Sequence, residues 1–258
     1  MTIDSTLMLV FFVIMLACFS MGALGALSTA RAPALARVLG HGGALLGAIA
    51  ALTFGLAGLA GGSIHLSVPD LLPIGGAVFG VDRLSAFFVV IIAVGALPAA
   101  LYAIGYTREY VGKHSLAGMG FAFNVFVAAM FLVPLARNAL TFLGLWELMS
   151  LASYFLVITE HEREETLAAG WVYFVMTHAG FVALLIGFLL LARATGTMDF
   201  TGWSAAAARL DPSSRNLIFV LLALGFGSKA GVIPLHVWLP RAHPAAPSPV
   251  SALMSGVM

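Results

Sequence analysis

The stretch that decides the fold is Gly225-Phe226-Gly227-Ser228-Lys229-Ala230-Gly231-Val232-Ile233-Pro234, which places a lysine inside an apolar segment. A lysine at the centre of a membrane-spanning helix costs about 2.5–3.5 kcal/mol on insertion scales. Proline lacks the backbone N–H that a helix interior needs, and glycine weakens a helix on either side. The stretch therefore predicts a discontinuous helix beside a buried cation, with Gly227, Gly231 and Pro234 at the break.

The composition of the whole chain indicates an integral membrane protein. Of its 258 residues, 61% are hydrophobic and 9% are charged, and the mean hydropathy is +1.05. Soluble domains carry about 25% charged residues. With a net charge of +1 and no basic cluster, the sequence gives no indication of a nucleic-acid partner. Cys18 is the single cysteine, which excludes an intrachain disulfide and a cysteine metal cluster.

Hydropathy predicts an all-α polytopic fold with about seven full transmembrane helices and the start of an eighth. A span needs about 20 apolar residues. An eighth apolar segment begins at Pro249, and the sequence stops at Met258, so we expect an amino-terminal fragment of a longer protein. The predicted spans are 6–27, 39–60, 84–106, 116–135, 139–159, 166–192 and 216–239.

Two segments between the spans are predicted to lie at the membrane surface. Residues 61–82 are too polar to span, and the alternation of Ile64, Leu66 and Val68 with polar residues predicts an interfacial β-hairpin with a turn at Gly75-Gly76. A short interfacial helix is predicted further on, where four apolar residues share one helical face. These are Phe200, Trp203, Ala207 and Leu210.

Two ionisable residues lie near mid-membrane in the predicted spans. Glu147 is far from the charges that end its span, Arg137 and Glu160, and Lys229 is similarly far from Arg215. One interpretation is a structural Glu147–Lys229 ion pair that joins two helices. The other is a proton relay, because intramembrane acids and bases mark ion pathways. Burial disfavours the charged form of either group, so a change in their separation alters their proton affinity.

Two histidines are candidates for the same relay. His178 lies about twelve residues into the sixth span, and histidine titrates near neutral pH. A packing role with a hydrogen-bonded ring is the alternative for it. His236 follows Pro234 near the predicted end of the seventh span, where it could exchange protons with Lys229. No nucleotide-binding loop, nucleophile elbow or metal-ligand spacing is present in the sequence, so we expect no cofactor in this chain.

Several motifs resemble the antiporter-like membrane subunits shared by respiratory complex I, Mrp sodium/proton antiporters and membrane-bound hydrogenases. The resemblance covers roughly residues 75–258. It rests on Trp146-Glu147-Leu148-Met149-Ser150, Gly227-Ser228-Lys229-Ala230-Gly231, Pro234-Leu235-His236-Val237-Trp238-Leu239-Pro240, Pro249-Val250-Ser251-Ala252-Leu253, Asp82-Arg83-Leu84-Ser85-Ala86-Phe87-Phe88 and Ala103-Ile104-Gly105-Tyr106.

Within the family, residues 241–249 and Met254-Ser255-Gly256 are most similar to the branch of hydrogenase 4 component B, also called formate hydrogenlyase subunit 3. The resemblance implies two inverted repeats, of which residues 116–258 would be the first, truncated in its last helix, and residues 1–115 the leading helices. It also implies that Glu147 and Lys229 form the proton-pumping pair. Ser255 departs from relatives that carry a histidine there, so that relay position is not transferred.

The resemblance further implies a prokaryotic inner (plasma) membrane location and a multi-subunit assembly. The expected partners are other membrane and peripheral subunits, the lipid bilayer and H⁺, with Na⁺ as the alternative ion. Iron–sulfur clusters, a nickel–iron centre or a quinone are expected on partner subunits. The leading hypothesis is an ion-pumping subunit of a hydrogenase or complex I-like oxidoreductase, with no redox centre of its own. The alternatives are an Mrp-type antiporter subunit and a structural membrane scaffold.

Overall fold

The amino-terminal part of the chain is a close-packed helical hairpin with a third helix on one side. The computed structural model describes residues 4–69 and 76–258. Helix α1 (Ser5–Ser28) packs along α2 (Pro33–Leu59), and their backbones meet where Gly22 of α1 faces Gly43 of α2. Small residues at such contacts are typical of membrane helix pairs.

The second helix begins earlier than the sequence pattern predicts. Its first residue is Pro33, six positions before the predicted start at residue 39. A proline suits the first turn of a helix, because its fixed φ is helical and the missing N–H would have no intrahelical partner there. The polar Arg37 therefore lies inside the first turns of α2, where its guanidinium donates to the carbonyl of Ile104 in α3 (Arg83–Tyr106).

The predicted β-hairpin is confirmed. Strands β1 (His65–Val68) and β2 (Ala77–Gly80) are antiparallel, with His65 opposite Gly80 and Val68 opposite Ala77. Of the predicted turn at Gly75-Gly76, Gly75 lies outside the described residues. Gly76, just before the return strand, has a φ of 68° that favours glycine.

The hairpin covers the connection between two of the membrane helices. The N–H of Arg137 donates to the carbonyl of Val78 over 2.9 Å, and the guanidinium of Arg137 lies 2.8 Å from Asp82. Partial burial works to raise the pKa of the Asp82 carboxyl, but the Ser85 N–H and Arg137 outweigh it and hold that pKa below its ordinary value.

Three helices form the centre of the molecule. Helix α4 (Leu116–Leu132) is the most buried of the spans and packs against α1, α2 and α5 (Ala139–Val157). Helix α6 (Glu164–Thr195) packs against α5. Two asparagines form side-chain hydrogen bonds that stabilise α4 and α5. Asn124 donates to the carbonyl of Gly40 over 2.7 Å, and Asn138 caps α5 by accepting from the N–H of Thr141.

The last part of the chain contains the predicted break. After the short helix α7 (Phe200–Ala207), whose Trp203 is buried against α6, helix α8 (Pro212–Ala230) crosses beside α6. It stops at Ala230, and the chain resumes helical structure as a 3₁₀ turn over Leu235–Trp238. Two further helices follow, α9 (Leu239–Ala245) and α10 (Ser248–Gly256).

Within residues 4–69 and 76–258, seven helical segments are long and apolar enough to cross a membrane, which confirms the predicted polytopic all-α fold with a discontinuous seventh span. Their bounds are Ser5–Ser28, Pro33–Leu59, Arg83–Tyr110, Leu116–Leu135, Ala139–Glu160, Glu164–Thr195 and Pro212–Ala245. The division of the chain at residue 116 stays a prediction.

Candidate functional site

Helix α5 supplies the acidic side of the site. Glu147 and Ser150 lie three positions apart, so they project from the same face of the helix. Ser150 is 1% exposed, and its hydroxyl donates to the carbonyl of Trp146 over 3.0 Å. A hydroxyl that has donated its hydrogen still offers lone pairs, so Ser150 presents an acceptor to the neighbouring helix.

Glu147 is paired with the predicted histidine. His178 Nε2 lies 2.5 Å from Glu147 Oε1, and both side chains are partly buried. The other ring nitrogen, Nδ1, lies 2.8 Å from the carbonyl oxygen of Phe174, one turn earlier in α6. A backbone carbonyl accepts only, so Nδ1 is the protonated nitrogen in that contact. The imidazole thus connects the α6 backbone with the Glu147 carboxyl. The second oxygen, Oε2, is buried and has no hydrogen-bond partner among the described residues.

Lys229 reaches the same face of α5 from the other side. Its ammonium group donates to Ser150 Oγ over 3.0 Å and lies 5.7 Å from the ring centroid of Trp146. The residue is 7% exposed. A cation at that distance from an indole ring is attracted by the negative face of the ring. The hydroxyl and the indole therefore both stabilise a charged lysine at this depth.

The described residues show no direct ion pair between Glu147 and Lys229. Instead, each binds a different partner, His178 for the acid and Ser150 for the base. Because Ser150 is one turn from Glu147, the two ionisable groups are neighbours without touching. The structure thus differs from the structural ion pair considered above and brings three of the four predicted relay residues into one cluster.

The break in the seventh span lies immediately after Lys229. Gly231 ends α8 in the left-handed region with φ at 68°, and its N–H donates to the carbonyl of Gly227. The N–H of Val232 donates to the same carbonyl over 2.9 Å. Glycine enters the left-handed region without the steric cost that a side chain brings. Lys229 consequently lies in the last turn of α8, where a cation interacts favourably with the helix dipole.

Trp238, in the segment that follows the break, contacts the last turn of α8. Its indole N–H donates to the carbonyl of Ser228 over 2.8 Å, and the ring is 2% exposed. Ser228 itself donates to the carbonyl of Met176 in α6 over 2.9 Å. The last turn of α8 is therefore fixed both to α6 and to the segment that follows the break. The position of Lys229 depends on both contacts.

A contact between two hydroxyl groups lies further along α5 from Ser150. Ser153 Oγ lies 2.6 Å from the hydroxyl of Tyr173, and also within hydrogen-bond distance of the carbonyls of Met149 and Ser150. Both Ser153 and Tyr173 are fully buried. The ring of Tyr173 packs 5.1 Å from that of Trp238. These contacts link α5 and α6 to the segment that follows the break.

His236 is separate from the cluster. It lies in the 3₁₀ turn beyond the break, and its Nδ1 is buried with no hydrogen-bond partner among the described residues. Its Cβ is 3.9 Å from where a Cβ at position 231 would lie. Its predicted role in exchanging protons with Lys229 stays a prediction. Pro234, predicted to lie at the break, immediately precedes this turn, and Gly227 supplies the carbonyl that caps α8.

Sequence reasoning did not assign roles to Ser150, Ser153, Tyr173, Ser228 or Trp238. Ser150 carried a usable signal, because it follows Glu147 by three positions and therefore shares its face. Trp238 carried a weaker signal. A helix break leaves backbone carbonyls without intrahelical partners, and an indole N–H shortly after the break can donate to one of them. In the described part of the chain, no group of three or more His, Cys, Asp or Glu residues could hold a metal ion.

The fold and the site together define a class of membrane protein: a polytopic helical subunit in which a discontinuous helix places a buried lysine against the helix that carries a partly buried glutamate. Comparison with known protein families confirms the family that the sequence motifs predicted. Residues 136–258 match the family described as NADH:quinone oxidoreductase/Mrp antiporter, transmembrane. The chain thus carries the transmembrane domain of the antiporter-like subunits of that family, as its motifs predicted.

Curated relatives and a solved structure agree with this assignment. Hydrogenase-4 component B of Escherichia coli K12 is 48% identical over 177 residues, covering 69% of this chain and 26% of that protein. NADH-quinone oxidoreductase subunit L of Mycobacterium tuberculosis is 33% identical over 198 residues, covering 74% and 30%. An archaeal membrane-bound sulfane sulfur reductase contains a chain with the same fold, at a TM-score of 0.79 and 19% identity, over 95% of this chain and 51% of that one.

The chain spans less than a third of each of these two relatives and about half of the solved chain. The part that it spans is a multi-pass, antiporter-like membrane domain that contains the buried Lys229 and the partly buried pair of Glu147 and His178.

Proposed function

We propose that this chain is part of an ion-pumping membrane subunit, in which Glu147, His178 and Lys229 relay protons. The observation that carries the proposal is the pair of contacts that meet on α5: His178 Nε2 to Glu147 Oε1 at 2.5 Å, and Lys229 Nζ to Ser150 Oγ at 3.0 Å. Three titratable groups from three helices thus meet at the face of α5 that carries Glu147 and Ser150, inside predicted spans where charge is costly.

The helix break gives the relay a means of responding to conformational change. Lys229 is the penultimate residue of α8, and the chain changes direction two residues later. Moving the segment after the break would move the ammonium relative to Ser150 and Glu147. A change in the separation of two charges in a low-dielectric site changes their proton affinity, at about 1.36 kcal/mol for each pKa unit.

The proposed assembly is a hydrogenase or complex I-like oxidoreductase in a prokaryotic inner membrane. Support comes from the similarity to a hydrogenase-4 component and to an NADH-quinone oxidoreductase subunit. In this proposal, iron–sulfur clusters and a nickel–iron centre or quinone belong to partner subunits, and this chain contributes the proton path. H⁺ is the proposed ion, because the cluster brings three titratable side chains together on neighbouring helices.

An Mrp-type antiporter subunit is the second candidate, because the matching family includes the Mrp antiporters. The two candidates differ in what drives transport. In inverted vesicles that contain the full-length protein and its partners, the oxidoreductase proposal predicts proton pumping that requires an electron donor and continues without sodium. Proton movement that instead follows an imposed sodium gradient without any electron donor would favour the antiporter.

Glu147→Gln tests the relay itself. The amide keeps the size of the side chain but cannot take up a proton. We expect pumping to fall at least about tenfold, since a positioned acid–base group contributes about 10²–10⁴-fold to a proton transfer. The matched control is Glu165→Gln, whose side chain is 92% exposed at the start of α6. Pumping should be measured together with electron transfer in vesicles that contain the complete assembly.

Two outcomes would contradict the relay. One is normal pumping in Glu147→Gln with normal amounts of assembled complex. The other is retention of both assembly and proton transport when Glu147 and Lys229 are replaced together by leucine. The second result would support the alternative in which these residues only join helices.

A further inference from the structure

A groove on the outer side of α4 and α5 has the dimensions and polarity of a lipid-binding site. Its volume is about 570 Å³, within the range of small-molecule sites. The walls are apolar and come from both helices, with Phe121 and Val125 on α4 and Leu148 and Phe155 on α5. The groove does not include the Glu147 carboxyl or Lys229, so it is distinct from the proposed relay.

The groove runs along the helix axes across one half of the membrane. On α5 its lining extends from Leu148, beside the mid-membrane Glu147, to Ile158 near the end of the span. At 1.5 Å per residue this distance is about 15 Å. The hydrocarbon core of a bilayer is about 30 Å thick, so one leaflet contributes about half of it. The groove therefore matches the depth of one layer of acyl chains.

Only the surface end of the groove is polar. His114 and His161 line that end, and both contact Glu162, at 3.6 Å and 3.7 Å respectively. The Glu162 side chain is 58% exposed, so its carboxylate can still bind another group. This mouth combines ring nitrogens that can donate hydrogen bonds with a carboxylate that accepts them.

We propose that the groove binds one acyl chain of a phosphatidylethanolamine, with its headgroup at the His114–Glu162–His161 mouth. The imidazole rings would donate to the lipid phosphate, and Glu162 would accept from the primary ammonium. A zwitterionic headgroup with N–H donors complements this mouth, whereas an anionic headgroup would approach four glutamates of the 160–165 segment.

The test uses the full-length protein in vesicles of equal parts phosphatidylethanolamine, phosphatidylcholine and phosphatidylglycerol. A trace of phosphatidylethanolamine carries a photoactivatable group at the end of one acyl chain, and cross-linked peptides are mapped by mass spectrometry. We expect cross-links to concentrate on residues 118–125 and 148–155. Val125→Phe should fill the groove and reduce them several-fold, while Val94→Phe, the same change on an exposed face of α3, should not.

The headgroup is tested with a second pair of variants. The same probe on phosphatidylcholine, which lacks N–H donors, should cross-link about three- to tenfold less, the equivalent of one hydrogen bond. Glu162→Gln should remove this preference and Glu165→Gln should keep it. The proposal fails if the cross-links spread evenly over lipid-facing helices, if Val125→Phe leaves them unchanged, or if both lipids label equally. A protein segment or a lipoquinone recovered in the groove would also overturn it.

Discussion

At the residue scale, the site is built from hydrogen bonds that keep a buried acid and a buried base apart. His178 binds Glu147, and Ser150 together with Trp146 holds Lys229. Each charge thus has a partner of its own, which reduces the cost of keeping it in the membrane. In the proposed relay, this arrangement means that a proton moves between groups without first breaking a direct glutamate–lysine pair.

His178→Gln separates a relay role from a positioning role. Glutamine can still donate a hydrogen bond to Glu147 Oε1, but it cannot carry a proton between groups. If His178 relays protons, we expect pumping to fall about tenfold or more while the complex assembles normally. His65→Gln, in the exposed hairpin strand, is the control. Full pumping in His178→Gln would assign the histidine to positioning only.

Trp238→Phe tests the contact that closes the helix break. Phenylalanine fills much of the indole volume but leaves the Ser228 carbonyl without its donor, so the free energy of unfolding should fall by about 1 kcal/mol. Trp171→Phe is the matched control, because Trp171 is 63% exposed. Thermal unfolding of both variants in the same detergent measures the effect. An equal change in the two variants would contradict the structural role of the Trp238 hydrogen bond.

At the scale of elements, the discontinuous seventh span is the feature on which the site depends. Helix α8 ends where Gly231 turns into the left-handed region, and the following segment folds back so that Trp238 reaches Ser228. Helix α6 contributes both His178 and the Met176 carbonyl that anchors Ser228. The site therefore requires that α5, α6 and both parts of the seventh span keep their relative positions.

Gly231→Ala tests the break directly. A Cβ at φ of 68° costs about 1–2 kcal/mol, and here it would also clash with the side chain of Leu239. We expect lower thermal stability by at least that amount and weaker pumping, because Lys229 would shift. Gly144→Ala is the control: its Cβ would meet nothing within 4 Å, and alanine favours the helix by about 0.5–1 kcal/mol. Equal stability of the two variants would contradict the account of the break.

At the scale of the whole molecule, the seven spans could be predicted because a bilayer imposes a length and a polarity on every helix that crosses it. The early start of α2 at Pro33 could not be predicted, because Arg37 interrupts the apolar run in the sequence. In the structure the Arg37 guanidinium donates to the carbonyl of Ile104 on α3. The residues Glu147, His178 and Lys229 were identifiable from depth alone. Their actual partners were not, because helix rotation and side-chain direction decide whether Lys229 meets Glu147 or Ser150.

The leading helices and the region that carries the site pack as one continuous structure around α4. This helix contacts α1 and α2 on one side and α5 on the other. In the proposed assembly, a conformational change in a partner subunit therefore reaches Glu147 through the helices packed around α4. The central claim is that such a change moves protons through the cluster, with Lys229 as its base.

Proton pumping by Lys229→Ala in the complete, reconstituted assembly is the most direct test of this claim. It should be compared with Lys113→Ala, an exposed lysine between α3 and α4, with electron transfer measured in the same vesicles. The account predicts that Lys229→Ala reduces the number of protons pumped per electron by about tenfold or more, while Lys113→Ala pumps normally. An unchanged proton-to-electron ratio in Lys229→Ala would contradict it.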